Sequence, residues 1–527
     1  LNSISNLQQL AAPIQQRLDS MDAWNLSAAI TRLPKMGCGD SQLYAACMLR
    51  YLQFAPTDNP RNLSNVIYAL CKAPEDFMQQ HQAALQQQLV PTFMAKASAA
   101  SAQDISNVVY GMAVSKQRLP KEIVQQLVTV FAGELQQAAP QAVANTLWGV
   151  ATMDQKVPIW QLQQMLAAFV SMLQQAKPQN VSNVLWAVAS MDQQVPDWQL
   201  QQLLGAFISM LQQAKPQEVS NTLWAVATMD QDLPAGQLQR LVAASVSMLQ
   251  QAKPQEVSNL LWACAKLGFL PQQLLAAPGL TGLLLADTRQ GLANAAWACG
   301  QVGHRGEQLM VALLAEVERR LAAADRKGSN SSKFSSQGLC NLCWAVAVLD
   351  LQQHAQQVLQ LAQACSSMWT SAEQDGQRQL WQVHTWLLDF QLAGGQGLQG
   401  SLTEQQLQQC RAAWQEQMQL RAKQQHTDFQ RSVFAAVQQL PNTWQQQPQM
   451  EQLSMGRDGV TPDGALLLDI AGRTAAGVLV AVEADGPTHF RRPDGGLMGA
   501  TQDRNRALAV LQPGQCALVW LEQAEAC

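Results

Sequence analysis

The chain has 527 residues, 48% of them hydrophobic and only 14% charged, so there is much to bury and little to solvate it with. That length calls for two or more domains, or for one long repeat array with something attached. The formal net charge of −4 and a pI near 5.9 exclude the overall basic footprint usual in a nucleic-acid binder, and no apolar run reaches the roughly eighteen residues of a membrane-spanning helix.

The eleven cysteines show no regular pairing or zinc-ligand spacing, and the lone CxxC, Cys340 and Cys343, lies in a helical stretch. Buried thiols in a reducing compartment are expected rather than a metal site. The first residue is Leu1, so the expectation is that a preceding segment, including any targeting peptide, is missing. Glutamine carries much of the polar role, and runs such as 86–88 and 445–447 read as solvent-facing helical positions.

From the N-terminus, the stretch "WNLSAAITRLPKMG" at Trp24 is a degenerate first copy of a phrase that becomes clear at Leu63 ("LSNVIYAL") and Ile105 ("ISNVVYGMA"). Pro140, Pro178, Pro216 and Pro254 then recur every 38 residues, as do Trp148, Trp186, Trp224 and Trp262. Each unit reads as a helical hairpin. In the unit at Ala176, Pro178 suits a first helical turn, and Val181, Val184, Leu185, Val188 and Met191 make one apolar face. Pro196 breaks the chain, and Leu200, Leu203, Leu204, Phe207 and Leu211 mark the second helix. Neither helix buries its face alone, whereas stacked hairpins do, which predicts an α-solenoid over 1–350 with eight or nine repeats. Weaker copies follow at Gly291 and Gly338, separated by a polar insertion at 325–337 that reads as disordered.

An asparagine precedes the aromatic by three residues in eight copies, among them Asn145, Asn183, Asn221 and Asn259 before Trp148, Trp186, Trp224 and Trp262. Fixed positions cannot spell a base code, so these read as scaffold: a tryptophan wedged between hairpins and an asparagine bonded to backbone across the junction. Readout falls instead to the first turn, at Gln179 and Asn180, Gln217 and Glu218, and Gln255 and Glu256. Their amides match base edges, and Lys177, Lys215 and Lys253 before them suit phosphates. Ordinary solvated first-turn residues would look the same.

A 38-residue helical hairpin with "SNxLWAVA" in its first helix and "VPDW" or "VPIW" opening its second resembles the octotricopeptide repeat family over about 20–350. Pro196-Asp197-Trp198 and Pro158-Ile159-Trp160 partially match that family's PPPEW-like start. The resemblance implies a factor acting on organellar RNA, in the chloroplast or alternatively the mitochondrion.

Beyond Asp350 a Gln-rich helical region spans 351–440, with one long helix expected over about 402–439. The runs "GALLLDIAG" and "GVLVAVEADGP" then read as a β-hairpin, "TQDRNRALAVLQ" as a helix and "CALVWLE" as a strand, a small α/β domain over 455–527. "VAVEADGPTHF" followed by "GATQDRNRALAVL" closely resembles the RAP domain, shared with the FAST kinase family, a resemblance that implies a further hydrophobic stretch after "VWLEQAEAC".

That resemblance implies a restriction-endonuclease-like fold, in which Asp469 and Glu483 would hold Mg²⁺ and a lysine two residues on would activate water. The lysine position is Asp485, so the cationic partner is missing, and His489 is the remaining candidate base. An inactive nuclease fold with Arg491, Arg492, Arg504 and Arg506 on phosphates is the preferred expectation, with no cofactor needed.

Three functions follow. The first is a sequence-selective binder of organellar RNA that stabilises, processes or assists translation of a transcript by steric cover. The second is a protein-binding scaffold or ribonucleoprotein assembly factor, with RNA-processing or ribosomal proteins as partners. The third is an RNA endonuclease acting through the C-terminal domain.

Overall fold

A computed structural model describes residues 13–327, 334–421, 427–440, 443–455, 462–509 and 516–522. The chain divides into two compact units, Leu1–Gln231 and Asp232–Cys527.

The first unit is a stack of helical hairpins. Its first helices are α1 (Ala23–Arg32), α3 (Pro60–Leu70), α5 (Ala102–Val114), α7 (Pro140–Thr152), α9 (Pro178–Ser190) and α11 (Pro216–Thr228); the second helices are α2 (Ser41–Leu52), α4 (Glu75–Ala84), α6 (Lys121–Gly133), α8 (Ile159–Ser171) and α10 (Asp197–Ser209). First helices pack on first helices, and second helices on second helices. The apolar positions that define the period are the ones buried: Val181, Val184, Leu185 and Val188 on α9, and Leu200, Leu203, Leu204 and Phe207 on α10. Small residues let the first helices approach, since Ser64, Ser106, Ser182 and Ser220 are buried between them. A Cβ added at Gly149 would lie 2.8 Å from Val109 Cγ1 on α5.

Four of these first helices, α5, α7, α9 and α11, stop the same way. Lys116, Asp154, Asp192 and Asp230 adopt left-handed backbone (φ 58°, 60°, 50° and 53°), and the N–H of the next residue in three of these turns, Gln117, Gln155 and Gln231, returns to a carbonyl five residues back. This is the Schellman turn, which satisfies the last carbonyls of the helix and redirects the chain. The degenerate copy at Trp24 is a true repeat, because α1 packs on α3 as α3 packs on α5, with Thr31 at the aromatic position. Gln86–Gln88 fall in a π-helical turn, Leu85–Leu89, whereas Gln445–Gln447 lie on a strand rather than a helix.

The second unit opens with α12 (Ala235–Ser247) and continues the pattern through first helices α13 (Pro254–Lys266), α16 (Arg289–Gln301) and α18 (Ser336–Val348). Its spacing is uneven because the second helices differ. Two short pieces, α14 (Gln272–Leu275) and α15 (Leu280–Leu285), replace one of them, and α17 (Glu307–Lys327) is drawn out to 21 residues. The expected polar insertion is narrower than 325–337. Helix α17 runs to Lys327, Ser335 caps α18 and Phe334 is buried, while 328–333 lie outside the described residues.

The repeat does not end near Asp350. Helix α19 (Ala355–Ser366) is the second helix of the α18 hairpin, and α20 (Gln374–Asp389) follows as a further first helix, packed on α18 as α18 is on α16. Gln379 and Gln382 occupy the asparagine and tryptophan places. The expected long helix is two, α21 (Glu404–Arg421) and α22 (Asp428–Gln438), the second started by a Thr427–Gln430 capping box.

The C-terminal module is a four-stranded sheet in the order β1 (Trp444–Met455), β2 (Pro462–Thr474), β3 (Leu479–Asp485), β4 (Cys516–Glu522). The first three strands are antiparallel and β4 runs parallel to β3 after a crossover through α23 (Gly499–Ala509). Val433 and Val437 of α22 pack on Ile470, Val482 and Ala484, so the module begins near Thr427 rather than at 455. The fold is mainly α: stacked helical hairpins followed by a small α/β module. No helix among the described residues is long and apolar enough to cross a membrane.

Candidate functional site

The repeat scaffold positions begin the account. In the first unit the aromatics Tyr68, Tyr110, Trp148, Trp186 and Trp224 run ring to ring, with centroids 5.1–6.1 Å apart. In the second unit Trp262, Trp297 and Trp344 continue at 6.3 and 6.4 Å, and the Trp344 indole N–H donates to Gln382 Oε1 at 2.8 Å. The rings pack against one another from repeat to repeat, half-buried except for Trp344, which is buried.

The asparagines bond to amide side chains rather than backbone. Gln103 Nε2 donates to Asn107 Oδ1 (2.8 Å), which in turn donates from Nδ2 to Asn65 Oδ1 (3.1 Å). Gln337 and Gln379 both donate to Asn341. Asn145, Asn183, Asn221 and Asn259 occupy the same half-buried position.

The first-turn candidates separate into two kinds. Lys177, Gln179, Lys215, Gln217, Lys253 and Gln255 are exposed. Asn180, Glu218 and Glu256 are not readout positions but helix caps. Their side chains accept the backbone N–H of Lys177 (3.0 Å), Lys215 (2.9 Å) and Lys253 (2.8 Å), satisfying donors that a helix start leaves open. Burial raises the Glu218 carboxyl above its ordinary value, against the Lys215 N–H that stabilises its charge.

In the C-terminal module the expected carboxylates do meet. Asp469 on β2 accepts the Ala484 N–H on β3 (2.8 Å), and its own N–H lies 3.4 Å from Glu483 Oε1. Glu483 and Asp485 are both 0% exposed. Their partner is Arg504 from α23, whose guanidinium sits 3.4 Å from Glu483 Oε2 and is paired to Asp485. His489 Nδ1 is 3.1 Å from Asp485 Oδ1 and 3.3 Å from Thr501 Oγ1.

Burial, with the Asp469 carboxylate alongside, pushes the Glu483 carboxyl up to about 8, and burial also raises Asp469. Burial works against the charge of Arg504, yet Glu483 and Asp485 overcome it and hold the guanidinium above its usual value. Burial lowers His489 despite the opposing pull of Asp485.

This set does not fit a divalent cation. Arg504 fills the cationic place between Glu483 and Asp485. The result is a buried ion-pair core joining α23 to the sheet.

The remaining arginines expected on phosphates are turned inward, each onto the carbonyl end of a repeat helix in the same unit. Arg492 donates to Leu267 O (2.8 Å), Leu233 O (2.9 Å) and Asp232 (3.0 Å). Arg491 donates to Val302 O (2.6 Å) and pairs with Asp494. Arg506 donates to Ala347 O (2.8 Å) and pairs with Asp503.

Three successive first helices, α13, α16 and α18, are thus capped at their negative ends by guanidinium groups, a favourable meeting of charge and helix dipole. The seat is close: the Arg492 N–H donates to Gly268 O at 2.7 Å, and a Cβ on Gly499 would fall 1.7 Å from Gly300 O. None of Arg491, Arg492, Arg504 and Arg506 is free for a phosphate in this arrangement.

No family model and no curated protein matches the chain. Among solved structures it is similar to the crystal structure of an engineered protein, at 12% identity and a TM-score of 0.33, over 76% of this chain and 98% of that one. It is also similar to a homology model of the full-length AP-3 complex in an intermediate open conformation, at 8% identity and a TM-score of 0.25, over 78% and 86% of the two chains.

Proposed function

We propose that the chain is an octotricopeptide-repeat protein with a C-terminal RAP domain, and that it binds single-stranded RNA selectively in chloroplast gene expression, the mitochondrion being the alternative. The observation that carries this reading is the repeated first turn. Lys177 and Gln179, Lys215 and Gln217, and Lys253 and Gln255 stand exposed at the same place in consecutive units. A cation for phosphate and an amide for a base edge are thereby offered once per repeat. Readout rests on these residues alone, since Asn180, Glu218 and Glu256 are committed to capping, Arg491, Arg492 and Arg506 to helix ends, and Arg504 to buried carboxylates. The action is steric, covering an RNA end or holding a leader open, and it needs no covalent step.

The test is selection of RNA from a random pool by the full chain at near-physiological salt. Enrichment of one motif, altered at a single position by Gln217→Ala and weakened evenly by Lys215→Ala, is the expected result. No enrichment, or binding that only collapses with salt, overturns base readout. A protein-binding scaffold is the second reading, favoured by Trp160 and Trp198, which stand 57% and 56% exposed one repeat apart on α8 and α10.

A further inference from the structure

Four thiols of the second unit form a cluster that neither the repeat scaffold nor the RNA reading uses. Cys340 and Cys343 lie on α18, Cys365 on α19 and Cys410 on α21, all free and fully buried. Cys340 Sγ is 3.6 Å from Cys365 Sγ, across the two arms of one hairpin. Cys343 is turned away, toward the Val358 carbonyl at 3.8 Å.

We propose that Cys340 and Cys365 are an oxidation site that forms a reversible disulfide with a low-molecular-weight disulfide as oxidant, covalently joining α18 to α19. A disulfide brings sulfurs to about 2.05 Å, so the pair must close by roughly 1.5 Å, within the reach of side-chain rotation.

The chemistry balances as two exchanges. The thiolate of one cysteine attacks the oxidant, forming a mixed disulfide and releasing one small thiolate. The second cysteine, losing its proton, then displaces the other. Two electrons and the two thiol protons pass to the oxidant, which leaves as two reduced thiols.

Either sulfur can be the donor in the contact that joins them, so either cysteine serves as the first nucleophile. Because both sulfurs are buried, the reaction waits on local opening of the hairpin and is slow in the closed state.

Its consequence is local. The carbonyls of Ala347 and Val348, which hold Arg506, belong to α18, so the bond fixes the platform on which α23 rests. The inference is independent of any RNA ligand.

The experiment incubates the full chain with oxidised glutathione at temperatures up to the unfolding midpoint, blocks remaining thiols, digests the protein and weighs the peptides. The expected result is loss of two thiols, a peptide pair joined through Cys340 and Cys365, and a raised thermal midpoint that dithiothreitol reverses. Cys365→Ala removes the joined pair, and the wild-type peptide masses stand whether or not that variant folds. Retention of both thiols, a link to Cys410 or Cys343, or glutathione left attached without an internal bond overturns the proposal.

Discussion

At the scale of single residues, Glu483 shows how an expected catalytic group can become a structural one. Buried beside Asp469, this carboxyl is raised to about 8 and keeps its proton at neutral pH, while Arg504 takes the cationic place next to it. An unfolded glutamate titrates near ~4.3. The folded state therefore binds a proton that the unfolded state has lost over the window between those values. The stability tied to that proton is fully present below the unfolded value and drains away as pH climbs toward 8.

Glu483→Gln keeps the shape and discards the titration. Its denaturation midpoint should be flatter from about pH 5 to about pH 8.5 than that of the wild type, and higher at the alkaline end. Parallel profiles for the two proteins would show that Glu483 is already ionised in the fold. Nothing in the letters Asp469, Glu483, Asp485 and His489 announced this, because the deciding group, Arg504, arrives from α23 after a crossover. The sequence supported a carboxylate cluster. Its electrostatics depend on depth, which a linear pattern does not carry.

At the scale of elements, the hairpins were legible where their fixed letters persist and illegible where chemistry is kept but letters change. Helix α20 continues the stack, yet Gln379 and Gln382 replace asparagine and tryptophan, and only the 38-residue step from Gly338 to Gly376 betrays it. Strand β1 was missed because "WQQQPQMEQLSM" has no alternation of apolar and polar residues. The arginine caps were missed because their partners are main-chain carbonyls, which have no letter at all.

Close approach of first helices was also silent, and it is testable. Gly149→Ala should cost about 1–3 kcal/mol, since the new methyl meets Val109 side chain and carbonyl at 2.8 and 3.1 Å. Gly205→Ala, on the exposed face of α10 with nothing within 4 Å, should instead stabilise by about 0.5–1 kcal/mol. Urea denaturation of the two variants beside the wild type decides the point. Equal effects would mean that helix propensity, not helix contact, governs both sites.

At the scale of the whole molecule, the net charge of −4 and the inward arginines describe the same economy. Three arginines of the C-terminal module, Arg491, Arg492 and Arg506, are spent on helix ends, and Arg504 on buried carboxylates. The module also spans a fixed set of repeat ends. Arg492 grips Asp232, Leu233 and Leu267, Arg491 grips Val302, and Arg506 grips Ala347.

A 38-residue unit inserted after Ser190 should leave hydrogen exchange at residues 488–506 unchanged, whereas the same unit inserted after Gln301 should accelerate it. Protection lost in both, or in neither, would show that these contacts do not set the interval. Duplication by unequal crossing-over makes such insertions at every repeat, but only the stretch before Asp232 is free to keep them. The units that begin at Ala139 and Ala176 lie wholly in that stretch. A unit gained or lost between Leu267 and Val348 would instead pull apart the seats that Arg492, Arg491 and Arg506 occupy together.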